Sequence, residues 1–118
     1  MNILITGASG FIGGHLVDAL TQAGHKVTAC VRNTHAAQHR WPGIAVISAD
    51  FTRDYDERVW LPRLIGIDVV INAVGIICET GQQSFDALHT QTPIALFRAC
   101  KQAGVKRVIQ ISALGADD

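Results

Sequence analysis

Four glycines fall within eight positions near the start of the chain: Gly7, Gly10, Gly13 and Gly14, in ITGASGFIGGHL at residues 5–16. Glycine loses more backbone freedom on folding than any other residue, so such a cluster implies a sharp bend or a close approach by another group. The cluster separates an apolar run, residues 1–6, from a run with apolar residues at helical spacing, Phe11, Ile12, Leu16, Val17, Ala19, Leu20 and Ala23. In a strand–turn–helix unit each glycine of the GxxGxxG triplet has a use. Gly7 ends the strand in a tight turn, Gly10 leaves room for a diphosphate against bare backbone, and Gly13 lets the helix pack tightly against that strand. The helix start adds free N–H groups and the positive end of its dipole. Ser9 can add a hydroxyl. The chemistry predicted is binding of a dinucleotide phosphate; a glycine-rich turn that binds nothing is the bland alternative.

A second position bears on which dinucleotide. A carboxylate at the end of the second strand, roughly 20 residues past the glycines, would grip a ribose 2′-hydroxyl. The chain reads TACVRN there, and Arg32 stands where the acid is expected. A guanidinium suits a 2′-phosphate through paired, charge-assisted hydrogen bonds. NADP is therefore the cofactor favoured, with NAD the alternative; a solvent-facing arginine is the competing reading of the residue.

These residues need a scaffold, and the rest of the chain supplies its pattern. Strands are predicted over residues 1–6, 27–31, 44–48, 68–75 and 105–112. Helices are predicted over residues 11–23, closed by Gly24, over 55–64 with Pro62 interrupting its end, and over 84–103 with Pro93 at the start or a kink of its main body. A helix within residues 33–41 is less distinct. Alternating strand and helix implies an α/β fold, a doubly wound parallel sheet of Rossmann type in three layers, with five strands in the order 3-2-1-4-5. All 118 residues fit one such domain.

Composition narrows the classes. Ten basic residues balance ten acidic ones, which gives no general attraction for nucleic acid. No apolar run reaches the ~18 residues of a membrane span, and the opening MNILITG lacks a signal peptide's basic start. Cys30, Cys78 and Cys100 form no CxxC motif and suit a reducing cytoplasm. His35 and His39 share a helical spacing but have no evident third ligand, so no metal site is expected.

Four motifs in order, TGASGFIGGHL, ADF at 49–51, NAVG at 72–75 and AGVKRVIQISALGA at 103–116, resemble the short-chain dehydrogenase/reductase superfamily. Its extended and atypical branches fit best: nucleotide-sugar epimerase-like and NmrA-like proteins, and relatives of the complex I NADPH-binding subunit. The resemblance implies that Gly7, Gly10, Phe11, Ile12 and Gly13 form the pyrophosphate loop. It implies that Arg32 selects the adenosine phosphate and that Asp50 and Phe51 lie beside the adenine, the carboxylate accepting from the exocyclic amine. By the same resemblance Ala73, Val74 and Gly75 lie against the adenine ribose, and Ser112 is the catalytic serine that hydrogen-bonds the substrate carbonyl. Asp50 and Ser112 could instead serve only as turn or cap residues.

Two departures stand out. His89 in HTQTP replaces an asparagine usual in the family. The family's acid–base pair, a tyrosine followed four residues later by a lysine, is not matched: Tyr55 is the one tyrosine and Val59 follows at four. The expectation is thus the N-terminal, NADP-binding part of a longer oxidoreductase or epimerase-like enzyme, inactive alone. The substrate is an unidentified small molecule, and strand five is an edge through which the chain could self-associate. A non-catalytic dinucleotide sensor or structural subunit is the alternative; a flavodoxin-like domain without nucleotide is the third.

Overall fold

The computed structural model describes residues 1–50, 53–73 and 92–111. Five strands, β1 (Asn2–Thr6), β2 (Lys26–Val31), β3 (Ala45–Ser48), β4 (Val69–Asn72) and β5 (Arg107–Gln110), form one sheet in the order β3-β2-β1-β4-β5. Every pairing is parallel. The predicted architecture and strand order are both present.

Side chains alternate across the sheet, so the inner strands β1, β2 and β4 each feed two cores. Ile3, Ile5, Val27, Ala29, Val31, Val69 and Ile71 face one layer, where Val17 of α1 (Phe11–Gln22) and Ala37 of α2 (Thr34–Arg40) complete the cluster. Leu4, Cys30 and Val70 face the other. There they meet Trp60 of α3 (Glu57–Trp60), Leu64 of a following 3-10 turn (Leu61–Leu64), and Ala95, Leu96, Ala99 and Cys100 of α4 (Thr92–Ala103). Burial on both faces explains why the central strands read as unbroken apolar runs.

Several elements are shorter than predicted. Residues 55–64 form one α-helical turn and then a 3-10 turn, because Pro62 has no N–H to continue an α-helical ladder. Asn33 caps α2, its side chain accepting from the Ala36 N–H at 3.0 Å, which resolves the indistinct segment as a helix. Of the helix predicted over 84–103, the part from Thr92 is described, with Pro93 its second residue. β5 is paired on one side only among the described residues, and its four residues are all exposed. Its apolar residues Val108 and Ile109 are 39% and 38% exposed.

Candidate functional site

The carboxyl ends of the parallel strands share one edge, and the order reverses between β1 and β4, where such sheets place their ligands. Gly7 follows β1 with φ +69°, a conformation that favours glycine. Its carbonyl accepts the Gly10 N–H at 3.0 Å, closing a tight turn under which Ala8 is fully buried. A Cβ on Gly13 would lie 2.1 Å from the Gly7 oxygen and 2.9 Å from the Ala8 Cα. Gly13 therefore lets α1 rest on the turn itself, one step from the strand contact predicted for it.

The start of α1 is open. Gly10 is its N-cap, no side chain caps it, and its first turn holds no acid. The leading N–H groups of a helix have no intrahelical partners, so those of Phe11, Ile12 and Gly13 form the positive end of the dipole. A Cβ on Gly10 would meet nothing closer than the Gly7 oxygen at 3.4 Å. Among the described residues nothing else comes within 4 Å of that position. Phe11, 82% exposed, and Ile12, 48% exposed, flank the opening with apolar surface. Phe11 is held edge-on to the His15 ring, centroids 4.6 Å apart. The arrangement fits a diphosphate: bare backbone, unpaired donors and a positive dipole end in one place.

Ser9 of this turn and Arg32 just past β2 line one crevice, together with Asn33, Thr34 and His35. The structure thus brings together two predicted residues from different βα units. Arg40 does not join them. Its guanidinium lies over the Trp41 ring at 4.4 Å and against the Gly14 backbone. His35 and His39 stack edge to face at 4.8 Å, and among the described residues no cluster of three metal-ligating side chains exists.

Asp50 follows β3 at the same edge, half-buried. Its N–H donates to the Asp54 carboxylate at 2.9 Å, and its carbonyl accepts from the Arg53 and Asp54 N–H groups. The turn expected of an aspartate here is therefore present. Ala73 extends β4, donating its N–H to the Thr6 carbonyl at 3.1 Å. Phe51, Val74, Gly75 and Ser112 lie outside the described residues, as do Cys78 and His89. Tyr55 stands on the α3–α4 side, 55% exposed, in a groove with Ile94 and Arg98, apart from the Ser9–Arg32 crevice.

Three residues at the switch point were not singled out from the sequence. Thr6, Asn72 and Gln110 share one register across β1, β4 and β5. The Thr6 hydroxyl donates to Asn72 Oδ1 at 2.5 Å, and Asn72 Nδ2 donates to Gln110 Oε1 at 2.8 Å. This polar ladder ties β1, β4 and β5 together at their carboxyl ends. Its one sequence signal is a polar residue ending each of three apolar runs. Cys30 and Cys100 are free and buried; burial pushes the Cys30 thiol up to about 12, partly countered by Arg63, and the Cys100 thiol to about 11. Neither is an available nucleophile near neutral pH.

Comparison with known proteins agrees with this geometry. Residues 7–118 match a family model described as NAD(P)H-binding. The chain is 27% identical over 124 residues to dihydroflavonol 4-reductase of Hordeum vulgare, covering 97% of this chain and 35% of that protein. It is 30% identical over 115 residues to 2-alkyl-3-oxoalkanoate reductase of Stenotrophomonas maltophilia, covering 95% and 33%. The chain therefore spans about a third of the length of these curated relatives. Among solved structures, a Bacillus halodurans protein provisionally named an NAD-dependent epimerase/dehydratase superposes with TM-score 0.82 at 26% identity, over 100% of this chain and 54% of that one. An Agrobacterium tumefaciens member of the short-chain dehydrogenase/reductase superfamily, solved with bound NAD, shares the fold at TM-score 0.75 and 20% identity, over 93% and 32%.

Proposed function

The chain belongs to the NAD(P)H-binding family, and from that premise we propose that it is the NADP-binding part of a larger reductase- or epimerase-like enzyme of the short-chain dehydrogenase/reductase type. One observation carries the reading. The uncapped start of α1 opens beside a crevice that already joins Ser9 to Arg32.

On this reading each residue has a role, argued from position for the described ones and from the superfamily resemblance for Phe51, Val74, Gly75 and Ser112. The N–H groups of Phe11, Ile12 and Gly13 take the diphosphate oxygens, and Gly10 offers no side chain in the way. The Ser9 hydroxyl adds a donor. Arg32, with Asn33 and Thr34 beside it, takes the 2′-phosphate. Asp50 and Phe51 receive the adenine, the carboxylate accepting from the exocyclic amine. Ala73, Val74 and Gly75 border the ribose, and Ser112 holds the substrate oxygen. When bound, the nicotinamide supplies hydride transfer to or from a carbonyl or alcohol carbon. Substrate chemistry of the relatives supports a small carbonyl compound as the partner. The free thiols Cys30 and Cys100 support a cytoplasmic location. Among the described residues β5 is paired on one side only, and this chain by itself would associate with a second copy through that edge.

Titration of the chain with NADPH and NADH tests the cofactor assignment. Arg32→Asp is expected to weaken NADPH at least ~10-fold while leaving NADH within about twofold, since a charge-assisted contact is worth ~1.5–3 kcal/mol. An unchanged preference refutes the role given to Arg32. No binding of either dinucleotide refutes the function.

A further inference from the structure

Beneath the Asp50 turn lies an ion pair that the binding reading does not use. Arg63 Nη2 and Asp54 Oδ2 are 2.9 Å apart, and their side chains are only 19% and 17% exposed. Asp54 Oδ2 is also the acceptor of the Asp50 N–H at 2.9 Å. One carboxylate oxygen therefore connects Arg63 to the backbone of Asp50. The connection is braced from below. Trp60, fully buried, donates its Nε1–H to the Asp54 carbonyl at 2.8 Å, and the Arg63 guanidinium lies over the Trp60 ring at 4.5 Å.

Stability alone gives little reason for this arrangement. A largely buried ion pair seldom outperforms apolar side chains of the same volume, because both charges must leave water. The surroundings here are apolar: Cys30, Ala49, Trp60 and Leu64 belong to one core cluster. Moreover Arg63 Nη1 is buried without a hydrogen-bond partner, which carries a desolvation penalty. What the pair does supply is a fixed point. Arg63 sits on the 3-10 turn Leu61–Leu64, whose Leu64 is buried in the core, and Asp50 sits on the carboxyl edge where ligands of such sheets bind.

We propose that Arg63, acting through Asp54, is a positioning residue that fixes the Asp50 turn for recognition of the adenine amine. The proposal rests on the reading of Asp50 as the adenine contact, and its test separates the two. The readout is the ratio of dissociation constants for two dinucleotides: NADPH and its hypoxanthine analogue, which lacks the exocyclic amine. Loss of general stability does not move that ratio; loss of Asp50 alignment does.

The wild-type chain is expected to prefer the adenine form about tenfold, the worth of one hydrogen bond to a charged group. Asp50→Asn and Arg63→Gln are each expected to bring the ratio close to one, and Arg63→Lys to restore part of it. If Asp50→Asn abolishes the preference and Arg63→Gln leaves it whole, the brace is overturned and the adenine contact stands. If Asp50→Asn leaves the preference whole, the adenine contact fails and the proposal with it. A measurement on the wild-type chain covers the case of a variant that does not fold. Hydrogen exchange at the Asp50 amide is expected to be slowed at least ~10-fold against an open loop amide, and free exchange there overturns the brace.

Discussion

Two adjacent glycines of α1 offer a controlled test of how closely the helix approaches the binding turn. Gly13→Ala and Gly14→Ala make the same chemical change on the same helix, and each gains ~1 kcal/mol of helix propensity. Their surroundings differ. At Gly13 the new Cβ would meet backbone: the Gly7 oxygen at 2.1 Å, the Gly7 carbon at 2.8 Å and the Ala8 Cα at 2.9 Å. None of these is the end of a flexible side chain. The turn must retreat by roughly 1 Å, and overpacking of this kind costs about 1–3 kcal/mol. The Gly10 N–H to Gly7 carbonyl bond, 3.0 Å long, is strained in the process, adding about 1 kcal/mol. Set against the propensity gain, Gly13→Ala is expected to lose ~2 kcal/mol. At Gly14 the Cβ would meet Arg40 Nη2 at 2.3 Å, the end of an exposed side chain that can swing away. It forfeits its stack on Trp41, worth ~0.5–1 kcal/mol, so Gly14→Ala is expected within ~0.5 kcal/mol of wild type. Urea unfolding of the two variants in parallel measures the difference. Thermal midpoints should differ by about 5–10 °C for a domain of this size. NADPH affinity should fall at least ~10-fold in Gly13→Ala alone, because the N–H groups of the helix start move with the turn. Equal stabilities of the two variants would refute the close contact, and unchanged NADPH affinity in a destabilised Gly13→Ala would refute the link between that contact and binding.

The ladder and the thiols give further tests. Asn72→Ala leaves buried Thr6 and half of Gln110's pairing without an amide partner, and is expected to cost ~2–4 kcal/mol in urea unfolding; a loss under 1 kcal/mol would show that the ladder is not a stabilising tie. Cys30 stays protonated in the folded chain up to about pH 12, whereas the unfolded thiol ionises near pH 8.5. The unfolded state then binds fewer protons over that window, so stability falls as pH rises from about 8.5 towards 12. Cys100, pushed to about 11, adds to the same slope. Cys30→Ala should flatten the decline measured between pH 8 and 10; an unaltered slope would remove this explanation. Thiol reagents at pH 8 should label neither residue in the folded chain.

The frame of this protein was legible in its residues because it depends on repeating local patterns. Apolar runs five to eight long, separated by helical spacings, leave a parallel sheet as the arrangement that buries both faces of each strand. Gly7, Gly10 and Gly13 pointed to a turn and a helix start because only a residue without a side chain suits a positive φ or contact with backbone. Pro62 marked where a helix would falter, although its outcome as a 3-10 turn carrying Arg63 was not visible. What tertiary structure alone decided is which polar groups from distant segments meet. Ser9 and Arg32 share a crevice only because β1 and β2 pair in parallel, in register from Asn2↔Lys26 to Thr6↔Cys30. Arg40, a second arginine close to Arg32 in the chain, lies instead over Trp41 and against Gly14, where the end of α2 meets α1. Thr6, Asn72 and Gln110 are separated by up to about a hundred positions, and Asp54 and Arg63 lie on different turns. Such contacts arise from register and crossover, which join residues that no local spacing relates.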